Sequence, residues 1–258
     1  MNHLRLPNFI IGGVQRSATT WLATMLDRHP GIYLAKPYNP EVKFFNRDEN
    51  YARGLAWYSR ACFDGAPAGA VLGEKTSGCI ERPEAARRIH DAAPGVRMIF
   101  ILRDPVERAY SNYLYSRRHG LEPESFGAAL ELEEERNRNI DPQWREIRPW
   151  SYFRRGLYAE QLKPFFDLFG PGRIHCLVTE EAEMNPQKTL GEIFSFLGLD
   201  RTEVNLDAPE KINASPDKAG SPLPPEIGEQ LKRKYSAPNA RLRELLQRDL
   251  PWPGNIHI

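Results

Sequence analysis

The segment Gly13-Val14-Gln15-Arg16-Ser17-Ala18-Thr19-Thr20-Trp21-Leu22 follows directly on the apolar run Asn8 to Val14. Strand, small-residue loop and helix start, in that order, make a nest of backbone N–H groups aimed at an anion, and the helix dipole adds to it. A nucleotide-kinase loop reads G-x-x-x-x-G-K-[ST]. Counted from Gly13, Ala18 stands at the second glycine, Thr19 at the lysine, and only Thr20 fits; the cation sits earlier, at Arg16. The segment is a phosphate cradle without the kinase lysine. Taken alone, the same residues serve equally as an ordinary strand-to-helix turn, with Thr19 as cap and Arg16 in solvent.

A second segment of the same kind is Leu102-Arg103-Asp104-Pro105-Val106-Glu107-Arg108-Ala109-Tyr110-Ser111-Asn112-Tyr113. Arg103 stands where a strand passes into a helix, and Ser111 lies about two turns into that helix. A planar guanidinium fork and a hydroxyl suit a second oxyanion. The bland alternative pairs Arg103 with Asp104 or Glu107 and leaves Ser111 on the helix surface. Both segments together ask for a ligand with two separated anionic groups.

The elements that must position these groups follow a strand–turn–helix rhythm. Strands are expected at Asn8–Val14, Ala70–Gly73, Val96–Leu102 and Ile174–Thr179. Helices are expected at Thr19–His29, Pro83–Ala93, Val106–Arg118, Tyr152–Phe169, Pro186–Leu197 and Glu226–Gln247. Apolar runs alternating with amphipathic helices point to an α/β fold, a mostly parallel sheet covered by helices on both faces. In such sheets ligands bind at the carboxyl ends of the strands. The 258 residues are expected to form one domain, with 207–258 as its C-terminal loop and helix.

Lys plus Arg total 35 against 34 Asp plus Glu, a net charge of +1, so an anion site must be local and nucleic acid is not an expected partner. Three widely spaced cysteines, Cys62, Cys79 and Cys176, exclude a disulfide framework and suit a reducing compartment. The six histidines show no i,i+3 or i,i+4 pairing, so no metal is implied. No run approaches the ~18–20 apolar residues of a membrane span. A cytoplasmic setting is expected.

Gln15-Arg16-Ser17-Ala18-Thr19-Thr20-Trp21 together with Arg103-Asp104-Pro105-x-x-Arg108-x-x-Ser111-x-Tyr113 resembles the two phosphosulfate-binding segments of the sulfotransferases, whose donor is 3′-phosphoadenosine 5′-phosphosulfate (PAPS). The likeness extends through Pro40-Glu41-Val42-Lys43-Phe44-Phe45-Asn46, Gly54-Leu55-Ala56-Trp57-Tyr58, Gly73-Glu74-Lys75-Thr76 and Arg155-Gly156-Leu157-Tyr158-Ala159-Glu160-Gln161-Leu162. These segments are most similar to the branch containing the heparan sulfate sulfotransferases, and a soluble, bacterial-type member is expected. The resemblance implies the P-loop-type sulfotransferase fold over about residues 7–200.

The resemblance also implies roles. Gln15, Arg16, Ser17, Ala18, Thr19, Thr20, Trp21 and the backbone N–H groups would hold the 5′-phosphosulfate. Arg103 and Ser111 would take the 3′-phosphate, and Lys218, in a late Lys- and Gly-containing loop, would close over it. Two departures stand out. Arg16 replaces the usual lysine and, always charged, is less able to donate a proton; Ala18 replaces the usual glycine and restricts a positive φ.

Glu41 matches the position of the family's base, and Lys75 a residue beside the donor, so Glu41, Arg16 and Lys75 are the implied catalytic groups. Read alone, Glu41 pairs with Lys43 and Lys75 with Glu74 as surface ion pairs. An extended segment would place Glu41 and Lys43 on one face. Lys43, Arg155 and Tyr158 are the candidate acceptor-side residues. Phe44-Phe45 and Phe165-Phe166 are expected in the core. Sulfuryl transfer to a hydroxyl or amine of a carbohydrate or small metabolite leads, without metal. A P-loop kinase using ATP and Mg²⁺, or a non-catalytic nucleotide-binding protein of the same fold, are the alternatives.

Overall fold

Phe9–Gly13 extends as strand β1, buried along its whole length, as befits an apolar run with two β-branched residues lying between other strands. The computed structural model describes residues 4–37, 40–141, 144, 147–200 and 222–252. After β1 the chain forms α1 (Thr19–Leu26), β2 (Ile32–Leu34), α2 (Asp48–Tyr51), α3 (Gly54–Phe63), β3 (Val71–Lys75), α4 (Pro83–Ala92), β4 (Arg97–Leu102) and α5 (Pro105–Arg118). Then follow α6 (Phe126–Arg138), α7 (Tyr158–Phe169), β5 (Ile174–Val178), α8 (Thr179–Met184), α9 (Pro186–Leu197) and α10 (Pro225–Leu246).

The chain divides into two compact units, each drawn from two stretches of sequence: Met1–Leu102 with Gln161–Asn213, and Arg103–Glu160 with Ala214–Ile258. The first contains the sheet. Its five strands are all parallel, in the order β2-β3-β1-β4-β5. Phe9, Ile11, Ile99, Ile101 and Leu177 join Leu22 and Leu26 of α1 and Leu190 and Phe194 of α9 in one core. Strand alternation turns Phe100 to the opposite face, where Phe165 of α7 meets it edge-on at 5.0 Å. Helices therefore cover both faces. The chain steps from β1 outward to β2, returns through β3, and crosses β1 to reach β4, so the strand order reverses beside β1. A ligand crevice belongs at the carboxyl ends of the strands there.

The second unit packs Val106, Ala109, Tyr110 and Tyr113 of α5 against Phe126 of α6, Tyr152, and Leu231 and Tyr235 of α10. Arg108 is fully buried within it, and its Nη2 donates to the Tyr152 carbonyl. Glu133 of α6 accepts from the N–H groups of Phe153 (2.7 Å) and Arg154 (2.9 Å). Burial raises its carboxyl above the ordinary value, and the two backbone donors oppose that.

Several expected boundaries move. β3 runs on to Lys75, two residues past Gly73. The helix expected from Tyr152 starts at Tyr158, because Arg154–Gly156 forms a 3₁₀ turn whose entry is held by Glu133. β2, α2, α3, α6 and α8 had no counterpart in the sequence pattern, and β5 ends at Val178, just before α8 begins. Most of the expected loop at 207–225, with Lys218, lies outside the described residues. Among the described residues no helix is long and apolar enough to cross a membrane.

Candidate active site

The loop after β1 turns through two residues in the left-handed region, Arg16 at φ 69° and Ala18 at φ 64°. Left-handed residues within such a turn swing neighbouring N–H groups toward a common concavity, the backbone form of an anion nest. Ala18 is the N-cap of α1 and makes no side-chain cap. Ser17 is fully buried, and its Oγ has no hydrogen-bond partner among the described residues; the same holds for Trp21 Nε1. An unmet buried hydroxyl costs about 1–3 kcal/mol. A bound oxyanion would meet it, so the residues present fit a phosphosulfate. Behind the loop, Thr179 Oγ1 lies 2.8 Å from the Leu102 carbonyl and 3.2 Å from that of Ser17, fixing the turn to the carboxyl end of β4. Nothing in the sequence around Thr179 marked it for that task.

An L-residue other than glycine or asparagine is strained at the φ of Ala18. Ala18→Gly should relieve about 1 kcal/mol of that strain. The expected result is a denaturation midpoint in urea at or above the parent's at unchanged slope, since the freer unfolded chain offsets part of the relief; a clearly lower midpoint would mean the loop does not hold Ala18 in this conformation.

The turn that follows β3 lies against the same strand end. A Cβ on Gly13 would fall 3.2 Å from the Ser77 carbonyl, and one on Gly78 would fall 3.2 Å from Gln15 Nε2 and 3.5 Å from Asn46 Nδ2. Into this corner comes Glu41. Its Oε1 receives Lys75 Nζ at 2.9 Å, Ser77 N at 3.1 Å and Ser77 Oγ at 2.7 Å. Among the described residues Oε2 takes no bond, so one carboxylate oxygen is anchored and the other is presented. The side chains of Lys75 and Glu41 are 5% and 8% exposed, which makes this a buried pair rather than either surface pair the sequence allowed.

Glu74 meanwhile accepts from Tyr58 Oη and, at 2.5 Å, from Thr76 Oγ1. Ser77, one residue past Gly73-Glu74-Lys75-Thr76, and Tyr58, the last residue of Gly54-Leu55-Ala56-Trp57-Tyr58, reach the surroundings of Glu41 although the sequence reading gave neither a role. Phe44 and Phe45 are buried, as expected. Lys43 corrects the shared-face expectation: its φ is +53°, and its carbonyl accepts from Asn46 N (3.2 Å) and Arg47 N (3.1 Å). A turn starts there, so the alternation of an extended segment does not apply.

In the second unit, Asp104 caps α5 by accepting from Val106 N at 2.8 Å. Arg103 Nη2 lies 3.5 Å from Glu107 Oε2, and its carbonyl accepts from Tyr158 Oη at 2.9 Å. Glu107 and Ser111, four residues apart, share one face of α5, so Arg103 leans toward the face that carries Ser111. Tyr158 is buried, its ring 5.9 Å from that of Trp252. Arg155, 3% exposed, donates to Asn112 Oδ1 (3.3 Å) and the Ile147 carbonyl (2.6 Å). Tyr158 thus ties its turn to the residue before the N-cap of α5, and Arg155 ties the Ile147 carbonyl to Asn112 in the middle of α5.

Residues 6–214 match the sulfotransferase domain family. A solved sulfotransferase from Alicyclobacillus acidocaldarius is 30% identical and superposes with a TM-score of 0.79 over 95% of this chain and 98% of that one. Heparan sulfate glucosamine 3-O-sulfotransferase 3A1 of Mus musculus is 28% identical over 97% of this chain and 65% of its own length. The human bifunctional heparan sulfate N-deacetylase/N-sulfotransferase 3 is 31% identical over 76% of this chain and 22% of its own length. This chain therefore spans about two thirds of the first relative and about a fifth of the second.

Proposed function

The chain belongs to the sulfotransferase domain family, and from that we propose that it transfers the sulfuryl group of PAPS in line to a hydroxyl or amine of a carbohydrate or small-metabolite acceptor, with Glu41 as general base. The observation that carries this reading is the convergence of Lys75 and Ser77 on one oxygen of a buried carboxylate, with the other oxygen left for an acceptor proton. The named activities of the mouse and human relatives favour a carbohydrate acceptor.

The donor supplies an activated sulfuryl group; the chain supplies position and charge. Transfer of this kind passes through a loose transition state, so alignment and charge stabilisation carry most of the rate. Glu41 Oε2 takes the acceptor's proton as the oxygen or nitrogen attacks sulfur. Arg16 and Lys75 face the charge that grows on the leaving oxygen. Arg16 stabilises it without protonating it. Gln15, Ser17, Thr19, Thr20, Trp21 and the loop N–H groups would hold the phosphosulfate, and Arg103 and Ser111 would take the 3′-phosphate. Three free cysteines suit a reducing compartment, and we place the enzyme in the cytoplasm.

Thermal stabilisation by adenosine 3′,5′-bisphosphate, the desulfated product, tests the reading. Without any metal it should raise the midpoint in step with its concentration, by an amount equivalent to about 2.7 kcal/mol at a hundred times its dissociation constant. ATP with Mg²⁺ should do less at equal concentration. The reverse order would favour a kinase, for which Thr19 stands at the lysine position. Binding without sulfuryl transfer to any acceptor would favour a non-catalytic protein.

A further inference from the structure

Glu74 is fully buried on β3, next to Lys75 but on the opposite face of the strand. The chemistry described above does not use it. Its two oxygens reach two different parts of the Glu41 site. Oε2 accepts from Tyr58 Oη of α3, and Oε1 from Thr76 Oγ1 at 2.5 Å. The Tyr58 ring lies flat on Phe44, with centroids 4.4 Å apart and planes at 15°, and edge-on to Phe45 at 5.2 Å. Phe44 and Phe45 follow Glu41 by three and four residues, so Tyr58 seats the segment that carries the carboxylate. Thr76 stands between Lys75 and Ser77, the two residues that donate to Glu41.

We propose that Glu74 is a positioning residue for Glu41, its buried carboxyl tying the Tyr58–Phe44 seat on one side to the Lys75–Ser77 donors on the other. The inference rests on the reading of Glu41 as base. Burial raises the Glu74 carboxyl above its ordinary value, the charge of Glu41 pushes the same way, and the bonds from Thr76 and Tyr58 oppose them. Both hydroxyls can accept as well as donate, so glutamine, with one acceptor oxygen and a donor NH₂, can still bond both of them.

The test is a double-mutant cycle read in kcat, with the affinity for adenosine 3′,5′-bisphosphate measured alongside. Glu74→Leu should lower kcat by about 10- to 100-fold, the scale of a misplaced catalytic group, with product affinity unchanged. Glu74→Gln should recover most of that loss. In a Glu41→Gln background, Glu74→Leu should cost less than about twofold, because residues acting through one group do not add.

Equal losses in both backgrounds, or a fall in product affinity that matches the fall in kcat, would overturn the inference and leave the base assignment standing. A Glu41→Gln enzyme as active as the parent would remove the base assignment and this inference with it. Should Glu74→Leu not fold, Tyr58→Phe, which keeps the ring and deletes only the hydroxyl, takes its place in the cycle with the same outcomes.

Discussion

Glu41→Gln should lower kcat by about 10²- to 10⁴-fold, the range for losing a positioned general base, while the affinity for adenosine 3′,5′-bisphosphate stays as it was. The amide keeps the shape of the side chain, and its oxygen still accepts from Ser77 N and Oγ, which stand 3.1 and 2.7 Å from Oε1 in the parent. What it cannot do is take the acceptor's proton. On the proposed reading the product is held by groups that the substitution leaves alone: the loop at 15–20, and Arg103 and Ser111. A loss in kcat without a loss in product binding is therefore the expected pattern. Turnover at the parental rate would mean that the acceptor loses its proton elsewhere, and Glu41 would then be a structural partner of Lys75.

The second large effect is expected at Lys75. On the proposed mechanism Lys75→Met removes a cation that faces the leaving oxygen, which should cost about 10²- to 10³-fold in kcat, as for a lost oxyanion donor. It also leaves Glu41, 8% exposed, without the ammonium 2.9 Å away. Breaking one side of a buried pair destabilises by about 3–5 kcal/mol when nothing else compensates. Because Ser77 still donates twice to the same oxygen, the lower end is expected. Lys75→Arg keeps the charge, so it should restore most of the stability and most of the turnover. Activity assays and urea denaturation on both variants decide the matter: a Lys75→Met protein that is unstable yet fully active would confine Lys75 to a structural role.

Local features of the chain were legible without coordinates. The run ending in Gly12-Gly13 reads as a strand, and residues 9–13 form one. Pro186 to Leu197 reads as a helix, and α9 has those limits, because Asn185 caps it through Lys188 N and Gly198 ends it at a positive φ. The parallel sheet follows from strands alternating with helices. Other elements were not legible. α6 buries Glu133 in place of an apolar residue, so its hydrophobic period is broken at the point that matters. β2 is three residues long, too short for any pattern to stand out.

Which residue types are present, and which neighbours along the chain can cap, turn or alternate, is written in the order of the amino acids, since those forces act over a few residues. That order therefore determined the strand–loop–helix cradle with its cation Arg16 and the α/β class, whereas Glu41 and Lys75 became candidates only through the resemblance to the sulfotransferases. Partnership was decided elsewhere. Glu41 is two residues from Lys43 yet bonds Lys75 and Ser77, and Glu74 adjoins Lys75 yet bonds Tyr58 and Thr76. Those pairings depend on the register that sets β3 beside β1 and on the aromatic packing that brings α3 over Phe44. Burial then decides that a carboxylate so enclosed must find its donors in three dimensions, whatever stands next to it in the chain.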